Sequence, residues 1–375
     1  LKSQPIRGMS MRVAVIGGGI AGLSTAWALT KAGVETTLFE RGPIPNPLGA
    51  SGDHHRIIRR AYGSQGGYQR RITEAYASWD EMWRDIGTNH LVANGFLLLS
   101  LYPGDMGEQM RHGLADQGDP YEVIPVEEAV RRYPYLDAGN VREVTFSPEG
   151  GALMCRHIAV DLVRWLRDKG CVVRENTEIN RIDHDSGALG TAAGDTFSFD
   201  RIVIAAGAWA PGLVPQLQSE LTPWRTAVAY LEPPADLAEA WAASPVILET
   251  GGTSDGYVLP PVRGTGLKFG TGLHKYKSAP DKNREVLPDE AAAIVSHLRP
   301  AFARLDEYRV TNVVSCAYTF TRDEHFLTRR ASRSTIVSAC SGHGYKFGAA
   351  VGRRVAKSLL DGDDAALTSW IEARD

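Results

Sequence analysis

The first apolar run of the chain reads MRVAVI, from Met11 to Ile16, and is rich in valine. An unbroken run of that length predicts a strand covered on both faces. The period then changes. Leu23, Ala26, Trp27 and Leu29 recur at helical spacing, and Gly33 ends them where a left-handed cap is favoured. VETTLFE predicts a second strand closing on Glu40. A long amphipathic helix follows through Ile72, Tyr76, Trp79, Met82, Trp83 and Ile86, whose aromatic stripe reads as core. Further on, HIAVDLVRWLRDKGCVVREN repeats the helix-then-strand order, and FDRIVIAAGAWAPG is a buried strand ending in small residues. Such an ending suits a backbone passing close beside a bound group. VLPPVRGTGLKFGTGL is strand-like and holds Lys268 between Leu267 and Phe269. A last helix from about Tyr345 carries Phe347, Val351, Val355 and Leu359 on one stripe and stops at DGD.

The first strand runs straight into GGGIAG, so Gly17, Gly19 and Gly22 form a G-x-G-x-x-G pattern between strand and helix. Gly17 permits the tight turn, Gly19 lets the backbone approach a pyrophosphate, and Gly22 lets the helix sit on the strand. The helix N-terminus offers free N–H groups to the phosphates. Glu40, at the end of the second strand, suits a ribose diol and disfavours a 2′-phosphate, which argues against NADP. An NAD protein would continue with further strand–helix units. This chain instead enters the polar segment GASGDHHRIIRRAYG, and its second unit lies far downstream. Interruption of that kind is a feature of the FAD-binding glutathione-reductase-like fold.

Composition narrows the class further. A chain of 375 residues suggests two or three domains. A net charge of −3 gives no electrostatic footprint for a nucleic acid. No stretch approaches the roughly 20 apolar residues that cross a bilayer. The leader LKSQPIRGMS lacks the apolar centre of a secretory signal and reads as foreign residues ahead of a start at Met9 or Met11. Cys155, Cys171, Cys316 and Cys340 are too scattered for a disulfide framework or a metal site. Together these features predict a reduced, cytoplasmic, soluble protein of enzyme size, expected as a monomer or small homo-oligomer.

The motifs VIGGGIAGLSTAWAL, SGDHHRIIRRAYG, RIVIAAGAWA, GLKFG, SCAYTFTRDEHF and SGHGYKFGAAVG occur in this order along nearly the whole chain. In that order they resemble the amine-oxidising branch of the D-amino acid oxidase superfamily, the monomeric sarcosine oxidase and N-methyltryptophan oxidase family. The resemblance implies an α/β fold in which an FAD-binding domain (11–85, 150–215 and 312–375) is interleaved with a mostly antiparallel substrate domain (86–149 and 216–311). It implies FAD contacts at Gly17, Gly19, Ile20, Ala21, Gly22, Glu40, Arg41, Ser51, Val173, Ala206, Gly207, Gly342, His343, Gly344 and Lys346, and a thioether from Cys316 to the flavin. It places Arg59 and Lys346 on the substrate carboxylate, Arg56 against the flavin ring, Tyr257 in the substrate pocket, and Lys268 beside flavin N5, where it assists reaction with oxygen. The implied reaction is hydride transfer from a secondary or N-methyl amino acid, imine hydrolysis, and reduction of O2 to hydrogen peroxide.

The chain departs from that family in places. Gly272 stands where relatives carry a histidine, with His274 close behind; His55 replaces a threonine, Gly52 a histidine, and Arg263 adds a cation near the pocket strand. Gly272 predicts a roomier pocket and the added basic residues a more acidic substrate. Oxidation of a cyclic imino acid or primary amino acid, a dehydrogenase feeding a carrier, and an electron-relay subunit stay open as alternatives.

Overall fold

The computed structural model describes residues 11–63 and 66–374; the leader and Met9 lie outside them. Strand β1 (Arg12–Ile16), helix α1 (Ile20–Lys31) and strand β2 (Glu35–Phe39) form as the hydrophobic pattern requires. Val13, Ala14 and Val15 have no exposed surface, so β1 is the centre of its sheet. That sheet has six strands, in the order Leu327–Ala331, Ser334–Ser338, Arg201–Ile204, β1, β2 and Val172–Arg174. All pairings are parallel except the edge strand Leu327–Ala331. The strands flanking β1 therefore come from opposite ends of a long insertion.

One apolar cluster joins this sheet to α1, the helix α2 (Gly66–Ile86), and the helices Cys155–Asp168 and Gly348–Asp361. Trp79, Met82 and Trp83 of α2 lie inside it, so the aromatic stripe is core as its spacing predicts. Between β2 and α2 the segment RIIR forms strand β3 (Arg56–Arg59), which pairs with Gly150–Leu153.

The second sheet has eight strands, mostly antiparallel, ordered Arg309–Phe320, Thr222–Glu232, Leu267–Lys277, Gly256–Leu259, Val246–Glu249, Phe96–Ser100, Glu143–Ser147 and Glu122–Ile124. The strand Arg309–Phe320 pairs along its length with Thr222–Glu232. The sequence boundary at 312 thus cuts a strand of the second sheet. Ala227, Ala229, Leu231, Leu267, Phe269 and Val258 belong to one core cluster on one face of this sheet, with Ile294 and Leu298 of the helix Glu290–Leu298. The alternate residues of the same strands face the other way.

A buried ion pair ties that helix to the sheet. Glu290, 2% exposed, accepts from both terminal nitrogens of Arg225, from the Leu287 N–H at 3.0 Å, and meets His274 Nε2 at 2.9 Å. Burial opposes the charge, but Arg225, His274 and the Leu287 N–H hold the Glu290 carboxyl down at about 2. Removing one partner strands the other charge, so Glu290→Ala is expected to cost about 3 kcal/mol of stability, read as a drop in denaturation midpoint. His274, predicted near the pocket, is instead part of this structural clasp.

No helix among the described residues is long and apolar enough to cross a membrane.

Candidate active site

The turn after β1 is shaped by contacts that only glycine allows. Gly17 sits at φ +113°, and a Cβ there would stand 2.4 Å from the Ala205 carbonyl oxygen. A Cβ on Gly22 would stand 1.9 Å from the Gly17 oxygen. The N-terminus of α1 therefore lies directly over β1, with Gly19 as its N-cap. Glu40 is 6% exposed and accepts from Gly18 N (2.6 Å), Gly42 N (3.0 Å) and Asn46 Nδ2 (2.9 Å). Ser51 Oγ accepts from Ile20 N at 3.1 Å. The acid and the serine thus brace the loop as well as edge it.

From this turn a continuous cavity of about 660 Å³ runs between the two sheets. Its walls include Gly17, Gly19, Ile20, Ala21, Glu40, Arg41 and Ser51. They continue through Ala206, Gly207, Gly342, His343, Gly344, Lys346, Arg56, Arg59 and Tyr257, bringing together residues scattered along the whole sequence. Val173 does not reach it; its strand pairs with β2 at Leu38, and its side chain packs on the α1 core. Thr177, Glu178, Ile179 and Asn180, just beyond, form that wall instead.

Arg59 and Lys346 meet over one ring. The Arg59 guanidinium lies 4.3 Å from the Tyr62 centroid and Lys346 Nζ 5.4 Å. Arg59 donates to the Ala61 carbonyl, and Lys346, 4% exposed, donates to the His343 carbonyl at 2.8 Å. Among the described residues no carboxylate pairs with either within ion-pair distance. Burial first, and the Arg59 charge second, press the Lys346 ammonium well below its ordinary value. Two neighbouring cations without an anion make a site for one.

Lys268 and Cys316 reach the cavity side of the second sheet by register. Lys268 lies opposite Leu259, and Cys316 opposite Thr226; both partners line the cavity. Directly opposed residues share a face. Lys268 has no exposed surface and does not itself line the cavity, because its ammonium is held by Asp53 Oδ2 at 3.0 Å and the His55 carbonyl at 2.5 Å. Burial lowers its pKa, the Arg56 charge adds to that, and Asp53 opposes both. Asp53 also accepts from Arg56 Nη1 (2.6 Å) and Tyr230 Oη (2.7 Å). Burial would raise this carboxyl, yet Lys268 and Arg56 hold it well below its usual range. Cys316, 2% exposed, does not itself line the cavity either, though its neighbours Ala317 and Tyr318 do; Arg56 Nη2 lies 3.6 Å from its sulfur. Burial raises this thiol, with Arg56 pulling it back toward the thiolate.

Several departures from the resembled family have physical reasons. Gly52 cannot carry a side chain, since a Cβ would stand 1.9 Å from the Asn46 carbonyl oxygen. Arg263 donates to the Asn89 carbonyl at 3.3 Å and does not line the cavity, so it supplies no charge for an acidic substrate there. The space at Gly272 is not free: a Cβ would stand 1.7 Å from Asp255 Oδ2. The roomier pocket expected from Gly272 is therefore corrected to a pocket with an acid in it. Asp53, Tyr62, Glu249 and Asp255 are the site residues that sequence reading missed.

A glycine-turn nucleotide cradle on a parallel sheet, opening beneath an antiparallel roof, defines the chain as a flavin-type α/β oxidoreductase. It belongs to the DAO family of FAD dependent oxidoreductases, which it matches over residues 12–358. It is 27% identical over 371 residues to a monomeric sarcosine oxidase of Bacillus sp. (strain B-0618), covering 93% of this chain and 92% of that protein. It is 23% identical over 360 residues to an N-methyl-L-tryptophan oxidase of Yersinia pestis (strain Pestoides F), covering 94% and 96%. Among solved structures it is similar to L-proline dehydrogenase from P. horikoshii, with TM-score 0.82, 19% identity and 97% of each chain covered.

Proposed function

We propose that this chain oxidises a secondary or N-methyl amino acid at the carbon bearing nitrogen, using FAD bound covalently through Cys316. The observation that carries the reading is the Arg59–Lys346 pair on Tyr62: two cations lining the cavity, with no carboxylate within ion-pair distance among the described residues. A planar guanidinium beside an ammonium suits a substrate carboxylate. The cradle fits the cofactor, since the bare Gly17 and Gly22 let the turn close on the next strand and bring the N-terminus of α1 over β1, where a pyrophosphate would meet its N–H groups. Gly17 to Gly22 would hold the diphosphate and Glu40 the ribose. The Gly344 N–H, ahead of the turn Tyr345–Phe347, would meet the electron-rich end of the flavin, the His343 N–H being already held by the Cys340 carbonyl at 3.0 Å. FAD held there would supply the redox chemistry, hydride acceptance from the amine carbon and return of the electrons to O2 as hydrogen peroxide. Arg59 and Lys346 fix the acid group, and Tyr257 across the cavity confines the reacting carbon. Lys268 supplies a fixed cation on the cavity face, and Arg56 lowers the cost of a Cys316 thiolate.

Asp53 offsets part of the Lys268 charge, which favours a second reading in which electrons leave to a carrier rather than to oxygen. A panel of N-methyl, cyclic and primary amino acids assayed for peroxide separates the two. An aldehyde product marks N-demethylation, and a cyclic imine marks ring oxidation.

The covalent bond has its own test. Acid-precipitated wild-type protein is expected to give a yellow pellet and Cys316→Ser a colourless one, with the flavin in the supernatant. A colourless wild-type pellet from flavin-replete protein refutes the bond.

A further inference from the structure

The strand Leu267–Lys277 carries glycine at 270 and 272, and the room that these leave is taken by neighbouring side chains. A Cβ at Gly270 would stand 2.4 Å from Tyr257 Cζ, as one at Gly272 would stand 1.7 Å from Asp255 Oδ2. Phenol and carboxylate thus lie flat on the strand, in space that any larger residue would occupy. Asp255 has φ +42°, uncommon outside glycine, and its carbonyl accepts from Gly272 N at 2.9 Å. Its carboxylate faces the open cavity and has no hydrogen-bond or ion-pair partner among the described residues.

A second acid lines the same cavity. Glu249, 3% exposed, ends the strand Val246–Glu249 and accepts from Gly251 N at 3.0 Å. No cation lies within ion-pair distance of it among the described residues. Burial, reinforced by Asp255, pushes this carboxyl up to about 8. Asp255 is exposed to the open cavity, and the protein around it still raises its carboxyl by desolvation, with Lys275 opposing and Glu324 adding to the rise. The charge of Arg59 acts on both carboxyls without pairing with either. Lys346 lines the same cavity, buried, with its ammonium on the His343 carbonyl and no acid within ion-pair distance among the described residues. One cavity therefore has two poles, a cation pair lacking an anion and an acid pair lacking a cation.

We propose that Glu249 and Asp255 form a cation-accepting subsite, so that the substrate is an N-substituted amino acid carrying a second, basic nitrogen on its side chain. This rests on the amine-oxidase reading above and adds the substrate class. Burying a carboxylate such as that of Glu249 is costly unless it is paired, and a ligand ammonium or guanidinium reaching in past the exposed Asp255 supplies the partner. The competing account is that the two acids only balance Arg59.

The test uses the flavin-loaded enzyme and two matched probe pairs. Hexanoate and 6-aminohexanoate are titrated against the flavin spectrum for binding. Nα-methylnorleucine and Nα-methyllysine are compared for kcat/KM. The member with the extra ammonium is expected to win each pair by about tenfold or more, the effect of one charge-assisted hydrogen bond. In Glu249→Gln/Asp255→Asn both ratios should fall toward one. Ratios near one in the wild type, or unchanged in the variant, overturn the subsite. So does a parallel loss for both members of a pair, which is the signature of acids that only balance Arg59. If neither amino acid bleaches the flavin, the oxidase reading fails, and the binding ratio alone still decides the subsite.

Discussion

Arg59→Ala is expected to lower kcat/KM for an N-methyl amino acid by about a hundredfold to a thousandfold, the loss of one partner from a buried charge pair. The guanidinium is positioned from several sides: β3 carries it, the Ala61 carbonyl accepts from it, and the Tyr62 ring supports it. Alanine leaves the substrate carboxylate facing Lys346 alone, whose ammonium is already disfavoured by burial. The loss should fall on the rate of anaerobic flavin reduction as well as on binding, because a loosely held substrate spends less time with its carbon aligned. Lysine at this position should recover only part, since it offers a point charge in place of a planar fork. An amine lacking the carboxylate should be oxidised equally poorly by both proteins. Lys346→Met should act in the same direction, and the double variant should lose less than the sum, because both cations serve one anion. Unchanged kcat/KM in Arg59→Ala would remove the carboxylate clamp.

Lys268→Met is the second large effect. Reoxidation of the reduced enzyme by air is expected to slow by about a hundredfold to a thousandfold, the range seen when a preorganised charge-stabilising group is removed. Reduction by substrate should be nearly spared, because Lys268 is withdrawn behind the cavity wall and bound to Asp53 and the His55 carbonyl. The substitution leaves Asp53 with Arg56 and Tyr230 as partners, so it is not orphaned. Stopped-flow measurement of the two half-reactions separates them. If wild type already reacts slowly with oxygen and the variant matches it, electrons leave by a carrier.

The nucleotide half of the fold was legible because its signals are local. β1, the glycine turn, α1 and β2 follow one another, and Gly17 and Gly22 are each required by a close backbone contact within the unit or with the next strand. The second sheet was legible only as strands, since pairing order depends on partners far away in sequence. Asp53 lies in a polar stretch with no period, and nothing local says that it meets Lys268 and Tyr230. That meeting follows from Tyr230 standing opposite Lys268 in the sheet. The Asp255–Gly272 contact has the same origin: Gly256 pairs with Thr271, which lays the preceding acid over the following glycine. Read without register, Gly272 was an absence; in the folded sheet it is space taken by a carboxylate. Val173 lies in a parallel edge strand with its side chain packed on the core, which is why it does not line the cavity.

The central claim is that a flavin lies between the glycine cradle and a cationic clamp that reads an amino acid's carboxylate. Anaerobic titration of the flavin-loaded protein with an N-methyl amino acid, and in parallel with its methyl ester, addresses it directly. Bleaching of the visible flavin band by the acid, with the ester much slower, is the predicted result. Equal bleaching by acid and ester, or a protein that takes up no flavin, would contradict it.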